Sequence, residues 1–397
     1  MQKQPAKILV VGQTPPPYGG QAMMINRLVK ARFERIRIYH VRMSFSDSFK
    51  SVGNFGFGKI LHLLGLIRKI LVVRFRHGVT ALYFPPAGPN LTPFLRDVIL
   101  LACTRPFFRH VIYHFRAAGL SEFLAHQPRY VQWLARRAYG APAASIQLSA
   151  LNPPDGAFFR SGRVHIVPNG LEDAALPYLP LHRRREGITS ILFAGVLRED
   201  KGVTVLVETA RRLRAQGHDF RLTLLGEFAS EAYQQETRDR VKAYGLEACV
   251  LFPGVKTGEA KWAYFRDADL FCFPSYFDSE SFGNVVVEAM MFRLPVVATR
   301  WRGIPGIVVD GETGLLVPIK DPDALAAALA HLITRPGEAG AMGAKGRERY
   351  LACYSLDKHL RAMEDVLAAA VNGPGTPKAP GGTGRLSVPD REYTNAL

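Results

Sequence analysis

Two carboxylates, Glu280 and Glu288, stand eight residues apart in FCFPSYFDSESFGNVVVEAMM, the stretch from Phe271 to Met291. A carboxylate accepts hydrogen bonds from two vicinal hydroxyls, so a pair beside one pocket suits a sugar or a ribose. A buried strand at Phe271 to Phe273 and a polar loop with Asp278 and Glu280 lead into a helix expected to begin near Phe282 or Gly283. The amides of Ser281, Phe282, Gly283 and Asn284 would then lack helical partners, where backbone donors and the helix dipole favour a phosphate. Sugar, ribose and phosphate together describe a nucleotide sugar. The competing reading is an ordinary strand-loop-helix with Glu288 in solvent. Against it, VVVEAMMFRLPVVAT is apolar nearly all round, and an ionised carboxylate on a buried helix requires a specific partner.

Further candidates sit where strands end. Ile8 to Val11 is a strand followed by a Pro/Gly loop, with Gly19 and Gly20 at the entrance of a helix from about Gln21, where backbone can approach an anion. The spacing GxGxxG is absent after Gly12, which argues against a nicotinamide enzyme. His114 and Arg116 close the strand from His110 to His114, at the edge where open α/β sheets bind ligands. Lys201 follows the strand ILFAGVL and precedes a helix, as a phosphate-neutralising lysine would, although an exposed loop lysine is the simpler reading.

Strands and helices alternate twice along the chain, first to VHIVPNGLED and again from Ser190, which predicts two doubly wound α/β domains with parallel strands. The expected boundaries are residues 1–170, 171–353, a helix over 354–372 returning to the first domain, and a Gly/Pro-rich disordered tail at 373–397. With 48% hydrophobic and 21% charged residues the chain is globular in character. Cys103, Cys249, Cys272 and Cys353 are scattered without metal-ligand spacing, as in a reduced cytoplasmic protein. MQKQPAKILVVGQ enters a strand without an apolar leader, and no run of 18 uncharged apolar residues suggests a membrane span.

Charge is unevenly placed. Residues 1–170 hold 23 Lys and Arg against 5 Asp and Glu, whereas 171–397 hold 28 against 29. Such a field attracts nucleic acid, anionic lipid or an anionic substrate. FGKILHLLGLIRKILVVRF, Phe57 to Phe75, places Ile60, Leu63, Leu64, Ile67, Ile70 and Leu71 on one helix face, with Lys59, Arg68, Lys69, Arg74 and Arg76 around it. A basic amphipathic helix can lie on an anionic membrane, or simply pack on its own sheet with its cations in water. No nucleic-acid module is recognisable, and aromatics do not interleave with the cations, so nucleic acid is not expected as a partner.

Together these stretches resemble glycosyltransferase family 4, retaining enzymes of the GT-B architecture, strongly over Ser190 to Pro318 and more loosely over the first 170 residues. The resemblance implies two Rossmann-like domains facing a central cleft and transfer of a hexosyl group from a nucleotide diphosphate sugar with retention of configuration. It implies that Glu280 contacts the donor sugar, Glu288 the ribose, Lys201 the diphosphate, Gly19 and Gly20 the diphosphate and acceptor, and His114 the donor sugar. Asn169-Gly170 matches the interdomain segment, and Gly303, Ile304 and Pro305 a shared GGIPE element. The chain departs from the pattern at three places. Val196 replaces an Arg, with Arg198 two residues beyond; Arg293 stands for a Gly, and Gly306 for a Glu. Catalysis is assigned to Glu280, His114 and Lys201, with donor contacts at Arg198 and at Ser281 to Asn284. No metal or cofactor is expected beyond the co-substrate. The basic domain suggests a lipid or polyprenyl-linked acceptor met at the inner face of the plasma membrane, in synthesis of a surface polysaccharide or glycolipid. A GT-B epimerase or phosphorylase, or a transferase with a soluble acceptor, is the alternative.

Overall fold

The computed structural model describes residues 4–16, 19–43, 57–180 and 187–373. The stretch expected to be disordered lies outside the described residues from position 374, and the side chain of Lys59 lies outside them too.

Six parallel strands make the first sheet: β1 (Ala6–Gly12), β2 (Ile36–Arg42), β3 (Ala81–Phe84), β4 (His110–Phe115), β5 (Ala144–Gln147) and β6 (Val164–Ile166), in the order β2-β1-β3-β4-β5-β6. The second contains β7 (Thr189–Ala194), β8 (Phe220–Leu225), β9 (Val250–Gly254), β10 (Leu270–Phe273), β11 (Val296–Thr299) and β12 (Gly314–Val317), in the order β12-β11-β10-β7-β8-β9. This is the GT-B architecture of two doubly wound domains. β3, β5, β10 and β11 are buried along their whole length because helices cover both faces, which is why they read as apolar runs rather than alternations.

Period-two geometry sorts the first domain into two cores. Leu9 and Val11 point to one face, against Leu66 and Ile70 of the helix Phe57–Arg76, Phe94 and Val98 of Leu91–Thr104, and Val131 of Arg129–Tyr139. Ile8 and Val10 point to the other, against Ile25 and Leu28 of the helix Gly20–Lys30 and Met363 and Leu367 of Leu356–Asn372. The last described helix therefore packs on the first sheet.

The helix Phe57–Arg76 corrects one expectation. Ile67 and Ile70 are buried as anticipated, but Ile60 and Leu64 are more than half exposed, and Leu66 takes the inward position instead. Leu63 is half-buried against the same core, whereas Ile60, Leu61 and Leu64 in the first turns, and Val72 and Phe75 further on, present apolar side chains to solvent.

Two crossings join the domains, and they pair with each other. Leu171 N–H donates to Tyr354 O and Leu356 N–H donates to Leu171 O, each at 2.9 Å. Gly170 lies so close that a Cβ there would sit 2.4 Å from the Cβ of His359 and 2.6 Å from Ser355 O, so this position admits only glycine. Asp173 then accepts a two-pronged bond from Arg347, at 2.8 and 2.5 Å, which anchors the crossing to the helix Pro336–Cys353.

Candidate active site

In open α/β sheets the ligand crevice lies beyond the carboxyl ends of the strands, where strand order reverses. Those points are β1/β3 in the first sheet and β7/β10 in the second. Between the domains lies a cavity of ≈ 300 Å³ whose wall includes Gly20 after β1, Ala194 to Val196 at the end of β7, and Phe273 at the end of β10. Topology thus puts both crevices into one cleft.

Glu280 lies on the cleft wall and is only 8% exposed. Its Oε2 accepts from Lys201 Nζ at 2.5 Å and from Ser275 Oγ at 2.9 Å. Oε1 has no protein partner among the described residues, which leaves one carboxylate oxygen for a ligand hydroxyl. Lys201 ends the 3-10 turn Glu199–Lys201, and its ammonium sits 4.4 Å from the ring centroid of Phe277. The turn closes on Gly202, whose φ of +80° is left-handed, and whose missing Cβ would lie 2.3 Å from Pro274 O.

The residues Ser281, Phe282, Gly283 and Asn284 also reach the cleft. The helix starts at Asn284, one or two residues later than anticipated, because Gly283 has φ +84° and cannot be part of a right-handed helix. Gly20 is on the wall with them, whereas Gly19, the cap of its helix, is not.

Three more expected residues stand elsewhere. Glu288 is a turn and more along the helix, off the wall, and its Oε2 accepts from Lys261 Nζ at 2.6 Å; this lysine is the partner its burial required. Arg198 is turned to Asp200 at 2.5 Å and lies 4.9 Å from the Phe277 centroid, also off the wall, while Val196 occupies it. His114 is fully buried behind the wall, its Nδ1 2.8 Å from Tyr83 OH and its Nε2 without a partner. Arg293 has φ +58°, the backbone region a glycine would occupy without strain. A Cβ at Gly306 would approach Ser149 Oγ of the first domain to 2.8 Å, so the larger residue of the related pattern would require Ser149 to shift.

Several contacts, and with them Asn152, Arg302 and Glu122, escaped the sequence reading because only the fold makes these residues neighbours. Ser281 Oγ donates to Arg116 O at 2.5 Å, Asn152 Nδ2 to Ser281 O at 2.8 Å, and Asn169 Nδ2 to Asn284 Oδ1 at 2.9 Å. With the Arg302–Glu122 ion pair at 2.7 Å, these bonds hold the two domains against each other around the cleft.

Two buried histidines stay neutral near the site. Burial, with Arg116 and His359 beside it, holds His114 well below the ordinary histidine range. Burial and then Arg116 lower His359 to about 4 from 6.5, although its bond to Pro168 O opposes this. The unfolded chain binds a proton at His359 below pH 6.5 that the folded chain refuses until about pH 4. Stability is therefore complete above pH 6.5 and falls as pH drops across that window, by about 3 kcal/mol for His359, with His114 acting in the same sense. Urea unfolding at pH 7 and pH 4.5 should show this loss, and His359→Asn should flatten it; equal stabilities at both pH values would contradict the assignment.

Residues 182–349 match the family model Glycosyl transferases group 1. Over this part the chain is similar to the glycosyl transferases of group 1, and its two parallel sheets share the GT-B fold of solved glycosyltransferases. The putative colanic acid biosynthesis glycosyltransferase WcaL of Salmonella typhimurium is 31% identical over 228 residues, 55% of this chain and 53% of that protein. The chain spans about half the length, or less, of the curated relatives it matches. Among solved structures, sucrose-phosphate synthase from Thermosynechococcus elongatus superposes with a TM-score of 0.68 at 19% identity, over 91% of this chain and 98% of that one. Anabaena HepE in complex with UDP and glucose gives 0.66 at 20%, over 92% and 100%. At these identities the structures show the shared fold.

Proposed function

We propose that the chain is a retaining glycosyltransferase that moves a hexosyl group from a nucleotide diphosphate sugar to a lipid-linked glycan. The observation that carries this reading is Glu280, fixed by Lys201 and Ser275 in the interdomain cleft with one oxygen free for a sugar hydroxyl. Support also comes from the group 1 match and from HepE, whose structure holds UDP and glucose in the same fold.

In the proposed reaction the bond from C1 of the sugar to the diphosphate oxygen breaks, and its electron pair stays on that oxygen. The acceptor hydroxyl bonds to C1 on the same face and gives its proton to the departing phosphate. Lys201 and the amides near Gly20 and Phe282-Gly283 stabilise the leaving diphosphate, while Glu280 holds the sugar. His114, behind the wall, acts through its neighbours.

The acceptor proposal rests on the first domain's outer face. Its adjoining helices expose Ile60, Leu64, Phe75, Ile99, Tyr130 and Trp133 beside Arg68, Lys69, Arg76, Arg129 and Arg136. Large apolar and aromatic side chains among cations, with almost no carboxylates, suit the interface of an anionic bilayer, and the proposed site of action is the inner face of the plasma membrane. No described helix is long and apolar enough to cross one. Flotation with vesicles should recover the protein with anionic lipid and not with neutral lipid; equal recovery would count against the lipid acceptor. The donor is tested by incubating the protein with UDP, GDP and ADP sugars, with and without a membrane lipid extract, and following nucleotide release by mass spectrometry. Release that needs one donor and the lipid is the expected result, whereas conversion of a free sugar nucleotide with no acceptor would replace the proposal by an epimerase.

A further inference from the structure

Three charged side chains stand on the cleft wall: Arg116, Lys201 and Glu280. Lys201 and Glu280 are paired with each other at 2.5 Å. Arg116 is left as the uncompensated charge. Its side chain is 93% removed from solvent, and among the described residues no carboxylate lies within ion-pair distance of it. Its partners are neutral: Nη1 donates to Asn169 Oδ1 at 3.1 Å and Nη2 to Tyr83 OH at 3.2 Å, while Nε is buried with no partner among the described residues. Those two bonds use two of the five N–H donors of a guanidinium. The nearby imidazoles of His114 and His359 are held neutral at pH 7, partly by Arg116 itself, so they add no second cation beside it.

A buried cation without an anion is costly, and chains keep one where a ligand supplies the charge. The surroundings say which. The bond from Arg116 to Asn169 continues through Asn169 to Asn284, the first residue of the helix Asn284–Met291. The guanidinium is thereby tied to a helix N-terminus whose first residues line the same cleft, and unpaired amides at a helix start favour an anion. Planar N–H forks beside helix amides match the oxygens of a phosphate.

We infer that Arg116 is a phosphate-binding residue, supplied by the first domain across the cleft from Lys201, so that a diphosphate is gripped by both domains at once. The inference rests on the sugar-nucleotide reading for its preferred ligand, the donor diphosphate. A lipid diphosphate acceptor offers the same chemistry.

Calorimetric titration separates these possibilities. The wild type, Arg116→Met and Arg116→Lys would be titrated with UDP, GDP and ADP, their nucleosides, inorganic pyrophosphate and a short-chain polyprenyl diphosphate. The nucleoside diphosphate that binds the wild type should bind Arg116→Met roughly tenfold to a hundredfold more weakly, with nucleoside affinity unchanged and Arg116→Lys intermediate. Equal loss for nucleoside and diphosphate would show a structural role and overturn the inference, as would unchanged affinity for every phosphate compound. A loss confined to polyprenyl diphosphate would assign the site to the acceptor. If no nucleotide binds the wild type while pyrophosphate binds in an Arg116-dependent way, the phosphate site stands and the sugar-nucleotide reading falls. Should Arg116→Met fail to fold, Arg116→Lys alone decides, because it keeps the charge and loses the fork.

Discussion

Glu280→Ala is expected to lower turnover by about two to three orders of magnitude, the range seen when one preorganised polar contact to a transition state is removed. The carboxylate is held from two sides, by Lys201 at 2.5 Å and Ser275 at 2.9 Å, both on the same oxygen. That arrangement fixes the direction of the free oxygen before a substrate arrives, so no reorganisation is needed during the reaction. Removing it also leaves Lys201, whose side chain is largely buried, without its carboxylate partner. Glu280→Gln keeps the shape and a bond with Ser275 while losing the charge, and should fall between wild type and alanine. The check is steady-state kinetics with the donor identified by the screen, together with a melting curve that shows the variants folded. A Glu280→Ala protein with wild-type turnover would remove the basis of the proposed function.

The second large effect is one of stability. Gly202→Ala should destabilise the second domain by about 3 kcal/mol, from the left-handed backbone that an L residue resists and from overpacking against a rigid neighbour. At Gly202 φ is +80°, and an added Cβ would lie 2.3 Å from Pro274 O and 2.7 Å from Pro274 Cγ. Backbone must move, and the backbone in question leads directly to Ser275, the second holder of Glu280. A melting temperature lower by roughly 6–12 °C is expected for a domain of this size. Turnover should fall in the surviving folded fraction as well, because Lys201 is the residue before the displaced glycine. Gly217, also left-handed at φ +80° but with open space around it, supplies the comparison: Gly217→Ala should cost only the backbone strain, about 1 kcal/mol. Equal melting temperatures for the two variants would show that the contact with Pro274 is not decisive.

Much of this architecture was legible from periodicity. Apolar runs such as FCF and VVAT must be covered on both faces, and their alternation with amphipathic helices leaves a doubly wound sheet as the arrangement that buries them all. The candidates at strand ends followed from the same reasoning, because a parallel sheet gathers its carboxyl edges at one side. Glu280, Lys201, Gly20 and the segment Ser281 to Asn284 do meet in one cleft. Pattern could not reveal which candidate side chains turn away from it. Glu288 turns to Lys261, Arg198 to Asp200 and His114 to Tyr83, each choosing a partner remote in sequence or hidden by rotamer.

By itself, then, the sequence determined the elements and the strand ends, because hydrophobic period, glycine conformation and turn chemistry are local properties of the chain. It also set the sign of the first domain's field, which is a sum over residues and needs no coordinates. Tertiary structure alone decided where charge is left uncompensated. Lys201 and Glu280 lie 79 positions apart yet cancel, while Arg116, among the described residues, donates to the neutral Asn169 and Tyr83 and keeps its charge. Whether an ion is paired depends on distances of a few ångströms between segments brought together by the folding of two domains, and no spacing along the chain encodes that.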